Sequence, residues 1–177
     1  MRALLISGSP NPRSATTALA GVAGRALGEL GATVHTVNLA EHPDPATLHR
    51  VVAHAGAIVL ASPVHHAGYS GLLKTALDTL PGDAFADKAV GLLAHGSGPR
   101  TGNVVCEQLR TVAKALGGWV VPTQVAACRE DFTAADGPAD PLAPLLARCR
   151  TMAAELHRCA TMLDVSALEE GKASCTT

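Results

Sequence analysis

Short apolar runs alternate with amphipathic stretches along most of the chain. Runs with an unalternating apolar centre, such as residues 2–7 and 88–95, are typical of strands buried on both faces of a parallel sheet. The stretches between the runs repeat apolar residues every three or four positions, which indicates helices with one buried face. The pattern predicts five strands, over residues 2–7, 32–38, 56–61, 88–95 and 119–126. It predicts five helices, over residues 14–30, 45–55, 71–80, 103–116 and 142–163.

Strict alternation of strand and helix predicts a parallel sheet with helices on both faces. Five strands fit the order 2-1-3-4-5, so we expect an α/β fold of three layers: a doubly wound, flavodoxin-like sheet of five parallel strands. Residues 1–164 are expected to form a single domain, and residues 165–177 a flexible C-terminal tail. In this fold a ligand binds at the carboxyl ends of strands one and three, where the chain changes direction.

The loop after the first strand, residues 8–17, has the composition of a phosphate-binding turn. It contains glycine, several hydroxyl side chains and Arg13, and it leads into a helix whose N-terminus carries partial positive charge. An ordinary strand-to-helix turn with Ser14 as N-cap is the alternative interpretation. The loop is neither GxGxxG nor GxxxxGK[ST], which argues against a dinucleotide fingerprint and a nucleoside-triphosphate loop. A phosphate monoester fits better, and in this fold FMN is the usual one.

Several motifs at the predicted strand ends together resemble the NAD(P)H-dependent FMN reductases. The motifs are Gly8-Ser9-Pro10, Arg13-Ser14, Ser62-Pro63-Val64, Tyr69-Ser70-Gly71-Leu72-Leu73-Lys74 with Asp78, and His95-Gly96-Ser97-Gly98. The resemblance implies FMN as cofactor, NADPH or NADH as electron donor, and a homodimer or homotetramer. It also implies which residues contact the flavin. The phosphate positions are Ser9, Asn11, Arg13, Ser14 and Thr16. Beside the ribityl chain and the ring edge lie Pro63, Val64, His65 and His66, and near the pyrimidine end Gly96, Ser97 and Gly98.

The chain departs from this family at His65, where relatives commonly carry an aromatic residue after Pro-Val, and His66 follows it. Aromatic residues make up 2% of the chain, so no sandwich of rings around the isoalloxazine is expected. Adjacent histidines rarely converge on one ion and no carboxylate clusters with them, so no metal site is predicted with His95. We expect His65 and His66 to lie at the flavin loop or at the surface. A histidine near the flavin N1–C2 carbonyl could stabilise the anionic reduced flavin.

Composition limits the partners and the location. A formal net charge of −1 gives no electrostatic basis for binding nucleic acid or a membrane, and no apolar run is long enough to span a bilayer. Five cysteines without a CxxC pair indicate free thiols rather than disulfides or a zinc site, with Cys149 in the core and Cys175 in the tail. A cytoplasmic protein is expected.

Three functions are compatible with these features. The first is an NAD(P)H:flavin oxidoreductase that transfers hydride from nicotinamide to FMN; no acid–base residue is assigned. Its reduced flavin would serve a flavin-dependent monooxygenase or reduce a quinone, azo compound or metal oxyanion. The second is a non-catalytic flavodoxin-like electron carrier, and the third a nucleotide-binding enzyme without flavin. Arg100 could contact a pyridine-nucleotide phosphate or simply be exposed.

Overall fold

The chain forms one parallel sheet of five strands in the order β2-β1-β3-β4-β5, as predicted. The computed structural model describes residues 1–98, 100–133 and 140–174, with the side chains of the last helix described up to residue 164. The strands are β1 (Arg2–Ser7), β2 (Thr33–Asn38), β3 (Ala57–Pro63), β4 (Ala89–His95) and β5 (Trp119–Ala127). The helices are α1 (Ala15–Glu29), α2 (Pro45–Ala53), α3 (Gly71–Leu77), α4 (Thr101–Ala115) and α5 (Ala143–Ser174). The predicted fold class and strand order are therefore confirmed.

The sheet separates two apolar clusters because side chains alternate between its faces. On one face, Leu5 and its neighbours pack with α1 and α5. On the other face, Leu4 and Ile6 pack with α2, α3 and α4. These three β1 side chains are at most 1% exposed, so the strand is buried on both sides. The core is mainly aliphatic, which agrees with the small aromatic content of the chain.

Polar N-caps set the starts of three helices. Ser14, Asp44 and Ser70 each accept a hydrogen bond from the backbone N–H three residues later, which satisfies one of the free donors of the first turn. The predicted helix starts after Ser14 and Asp44 are confirmed. These caps matter for function because Ser14 and Ser70 lie at the carboxyl edge of the sheet.

Several element boundaries differ from the prediction: α2 ends at Ala53 rather than residue 55, α3 ends at Leu77 rather than residue 80, and α4 begins at Thr101 rather than residue 103. Strand β3 continues to Pro63, which pairs with His95 of β4, so the edge of the sheet extends beyond residue 61. Helix α5 continues to Ser174 rather than ending at residue 163, because the intervening residues include strong helix formers and no proline. It enters the segment expected to be a tail; the domain boundary at residue 164 stays a prediction.

The described cysteines are free thiols, as predicted. Cys106, Cys128 and Cys149 are buried and Cys159 is half-buried. Burial raises the pKa of Cys106 to about 12 and that of Cys149 to about 11, which keeps both in the unreactive thiol form. The expectation for Cys175 lies outside the described residues.

Of the helices that the structure describes, none combines the length and the apolarity needed to cross a membrane.

Candidate functional site

The loops that follow β1, β3 and β4 meet at the carboxyl edge of the sheet. The Gly8 N–H donates to the Ala61 carbonyl (2.8 Å), which joins the first loop to β3. The Val64 N–H donates to the His95 carbonyl (2.9 Å), which joins the second loop to β4. Backbone hydrogen bonds thus hold together the three segments that contain every predicted flavin-contact residue.

Gly8 and Ser70 form the junction between the first two loops. The Ser70 hydroxyl donates to the Gly8 carbonyl (2.6 Å) and also accepts from the Leu73 N–H (3.1 Å) as the N-cap of α3. The Ser70 N–H donates to the Ser62 hydroxyl (2.9 Å). A Cβ at Gly8 would lie 2.6 Å from Leu73 Cβ and 2.9 Å from Ser70 Oγ, so only glycine allows this approach.

The first loop is held by its own polar groups. The Ser9 hydroxyl accepts from the Asn11 N–H (3.2 Å), and the Asn11 side-chain oxygen accepts from the Arg13 N–H (2.9 Å). The Asn11 carbonyl accepts from the Ser14 N–H (3.2 Å), and the Ser14 hydroxyl accepts from the Thr17 N–H (3.2 Å). The loop therefore has a defined shape before any ligand binds.

Several donors at the end of this loop have no acceptor in the described part of the chain. The N–H groups of Ala15 and Thr16, in the first turn of α1, have no hydrogen bond there, and the exposed Arg13 guanidinium has no partner there. Free N–H groups at a helix N-terminus with one arginine suit a phosphate. The loop thus fits the phosphate end of FMN. Ser9 and Thr16 are buried (3% and 2% exposed), so Asn11, Arg13 and the half-buried Ser14 are the accessible side chains among the predicted set.

Thr17 belongs to the loop but is absent from the predicted set. Its hydroxyl lies 3.1 Å from that of Ser7 and 3.2 Å from that of Ser14, so it connects the end of β1 to the helix cap. The signal in the sequence is its position, three residues after an N-cap serine.

The second loop ends in a tight turn that exposes two histidines. His65 and Gly68 exchange two backbone hydrogen bonds of 2.9 Å each, which leaves His66 and Ala67 at the tip. His65 and His66 are exposed, whereas Pro63 and Val64 are half-buried at the strand end. Within the described ranges no group of three histidine, cysteine or carboxylate side chains could hold a metal ion.

The third loop closes against the start of α4. Gly96 is buried, and a Cβ there would lie 2.1 Å from Thr101 Oγ1 and 3.1 Å from Val64 Cγ2. The Thr101 hydroxyl donates to the Gly98 carbonyl (2.9 Å), which turns the loop into the helix. Ser97 is exposed and Gly98 half-buried. Gly96 therefore lies close to Val64 of the second loop. Contact of Arg100 with a nicotinamide phosphate stays a prediction.

His95, at the end of β4, carries a buried polar atom at this edge. Its Nε2 has no hydrogen-bond partner among the described residues, and its ring lies 6.1 Å from that of Phe132. Burial lowers the pKa of His95 below its usual value, and the charge of Asp131 opposes this effect. The imidazole is therefore held in its neutral form near neutral pH.

The burial of His95 predicts a dependence of stability on pH. The pKa of His95 is lower in the folded state than its usual value of 6.5, so the unfolded chain takes up a proton first as pH falls. The free energy of unfolding is therefore unaffected by His95 above pH 6.5, and it decreases as pH falls from 6.5 towards the folded pKa. We expect the free energy of unfolding to fall less between about pH 7.5 and about pH 5.5 in a His95→Gln variant. Urea unfolding at both pH values measures this, and an equal fall in the two proteins would contradict it.

A separate cavity of about 560 Å³ lies at the opposite edge of the sheet. Its lining includes Arg2, Gly56 and Asp87 at the amino ends of strands, and His157 of α5. None of the predicted flavin-contact residues lines it. The predicted site at the carboxyl edge is therefore distinct from this cavity.

Comparison with known proteins identifies related sequences. The model of the NADPH-dependent FMN reductase family matches residues 1–132. An FMN-dependent NADPH-azoreductase of Staphylococcus saprophyticus is 34% identical over 154 residues, which cover 77% of this chain and 81% of the relative. An FMN-dependent NADPH-azoreductase of Staphylococcus aureus is 41% identical over 75 residues, 42% of this chain and 39% of the relative.

Solved structures extend the similarity over most of the chain. An oxidoreductase from Corynebacterium diphtheriae superposes with a TM-score of 0.73 and 26% identity, covering 92% of this chain and 98% of that one. The apo form of an NADH:FMN oxidoreductase gives 0.72 and 26%, covering 88% and 89%. A flavodoxin from the domain Archaea gives 0.68 at 12% identity, covering 91% and 99%, which shows the fold alone.

Proposed function

Because the chain belongs to the NADPH-dependent FMN reductase family, we propose that it reduces a small organic acceptor, an azo compound or a quinone, through FMN that it retains. The predicted family is confirmed, and so is the enzyme class, an NAD(P)H-dependent flavin oxidoreductase. FMN and a nicotinamide donor are confirmed as its cofactor pair. The acceptor and the retention of FMN are the proposed parts.

The observation that carries the proposal is the set of free donors at the end of a preformed loop. The N–H groups of Ala15 and Thr16, the Arg13 guanidinium and the accessible Asn11 and Ser14 side chains offer a doubly charged phosphate several hydrogen bonds. Because the loop is already held in shape, little conformational entropy is lost when the phosphate binds. This arrangement favours an enzyme that keeps its flavin.

The other two loops define where the chemistry occurs. When bound, FMN accepts hydride from the nicotinamide and delivers electrons to the acceptor. Residues 63–66 and 96–98 would border the ring, while the loop at residues 8–17 holds the opposite end of the cofactor. His65 and His66 are exposed, so the nicotinamide and then a planar acceptor would approach the ring beside these two side chains. The similarity to an azoreductase over 77% of the chain supports the acceptor class.

Absorbance spectroscopy of the purified protein tests this function. We expect flavin absorbance that survives gel filtration, bleaching of that absorbance by NADPH without oxygen, and recovery when an azo dye or quinone is added. A protein that binds flavin but shows no bleaching would be an electron carrier instead. A protein that does not bind FMN at all would refute the proposed function.

The second candidate is an enzyme that treats FMN as a substrate and releases it reduced. Residues 62–68 contain no phenylalanine, tyrosine or tryptophan that could hold the isoalloxazine ring. A structural neighbour at 26% identity is an NADH:FMN oxidoreductase. A colourless protein that oxidises NADPH only in proportion to added FMN would favour this candidate. A flavin-dependent monooxygenase partner, the oligomeric state and a cytoplasmic location stay predictions.

A further inference from the structure

We propose that Gln108 is a positioning residue that holds the histidine turn, residues 65–68, at the flavin site; this inference rests on the function proposed above. Gln108 lies on α4, and its side-chain N–H donates to the Ala67 carbonyl at the tip of the turn (3.1 Å). The two residues are 41 positions apart in the chain. The bond connects a helix packed in the core to the segment that carries His65 and His66.

The turn has an unfavourable backbone for its residues. His66 and Ala67 have φ angles of 50° and 61°, and these positive signs at both central positions are those of a type I′ turn. Asparagine and glycine normally occupy such positions, because a Cβ is crowded in the left-handed region. Histidine is tolerated there more often than most residues, but alanine is not, so Ala67 requires support from the surrounding structure.

The stems of the turn are fixed, and its tip depends on α4. On one side the Val64 N–H is bonded to the His95 carbonyl, and on the other the Ser70 N–H is bonded to the Ser62 hydroxyl. Between these points, Gln108 supplies a side-chain hydrogen bond to the tip. The Gln108 side chain also lies near Gly68, where an added Cβ would be 3.8 Å from Gln108 Oε1.

Helix α4 is a rigid support for this contact. Val105 and Leu109, on either side of Gln108 along the helix, are fully buried in the core. The backbone of Gln108 therefore cannot follow a moving turn, and its hydrogen bond selects one position of the tip. The consequence is a fixed placement of His65 and His66 beside the flavin ring and the incoming acceptor.

A Gln108→Leu variant removes the donor while keeping a side chain of similar size. Loss of one hydrogen bond of ordinary strength predicts about fivefold faster amide exchange at residues 65–68 in the flavin-free protein. FMN should bind about fivefold more weakly, and the KM for a quinone acceptor should rise with little change in kcat. Hydrogen exchange with mass spectrometry, flavin fluorescence titration and steady-state kinetics measure these effects.

Two further variants separate positioning from a general loss of structure. In the double variant Ala67→Gly with Gln108→Leu, glycine removes the crowding of the left-handed residue, so FMN affinity and KM should return towards those of the unaltered protein. Thr111→Ala, an exposed residue one turn along α4, should leave all three measurements unchanged. A Gln108→Leu variant that matches the unaltered protein in exchange and in FMN affinity would overturn the inference. If the unaltered protein fails to bind FMN, the proposed function is wrong, and so is the effect of Gln108 on flavin binding. The exchange data test the role of Gln108 in the turn separately, because they are measured without flavin.

Discussion

A Gly8→Ala substitution is expected to destabilise the fold by about 1–3 kcal/mol and to weaken FMN binding at least about tenfold. The added methyl would lie 2.6 Å from Leu73 Cβ, an atom fixed to the backbone of α3, so no side-chain rotation can relieve the clash. The first loop must move away from α3, which breaks the hydrogen bond from the Ser70 hydroxyl to the Gly8 carbonyl. Urea unfolding measures the loss of stability, and flavin fluorescence titration measures the loss of affinity.

Gly28→Ala is the matched control for this substitution. Gly28 lies in α1, and a Cβ there meets no atom within 4 Å. The same change should stabilise the protein by roughly 0.5–1 kcal/mol, because alanine is favoured over glycine within a helix. Equal effects of the two substitutions would show that Gly8 is not the point where the loops are in close contact.

An Arg13→Ala substitution is expected to weaken FMN binding about tenfold to a hundredfold and to leave riboflavin binding unchanged. The reason is that a hydrogen bond to a charged group contributes about 1.5–3 kcal/mol, and riboflavin lacks the phosphate that would receive it. The Arg13 guanidinium is exposed and has no partner in the described part of the chain. Titration of both flavins against both proteins gives the four dissociation constants that the comparison needs.

The stability of the protein provides the control for Arg13. Because its side chain makes no hydrogen bond to the described residues, the substitution should change the urea midpoint little. An equal loss of affinity for FMN and riboflavin would place Arg13 near the ring instead of the phosphate. No loss for either ligand would remove it from the site.

Much of the fold follows from local patterns in the sequence. The apolar runs of β1, β3 and β4, the cap Ser14 and the turn before Pro45 were sufficient to predict these strands and two helix starts. The C-terminal end of α5 could not be predicted in this way, because the apolar stripe weakens after residue 163 while helix-forming residues continue. Helix propensity and the apolar stripe in the sequence thus indicate different ends for the same helix.

The sequence likewise predicts some features of the candidate site and not others. Loop composition and topology predicted that residues 8–17, 63–66 and 96–98 lie at one edge of the sheet, and hydrogen bonds between their segments confirm that they do. Which side chains are accessible could not be predicted, since Ser9 and Thr16 carry the right hydroxyls but are buried by packing. The roles of individual predicted residues in binding flavin stay predictions.

The sequence by itself determined the alternation of strands and helices, because that pattern depends on residues close together in the chain. It also predicts the carboxyl edge as the ligand edge and the first loop as a phosphate-binding loop. Only the tertiary structure identified the bond of Ser70 to Gly8, across 62 positions, and that of Gln108 to Ala67, across 41. Such contacts depend on how helices pack against the sheet. The periodicity of apolar side chains does not indicate which distant backbone atom a polar side chain will contact. They hold the loop at residues 8–17 and the histidine turn in place at the carboxyl edge.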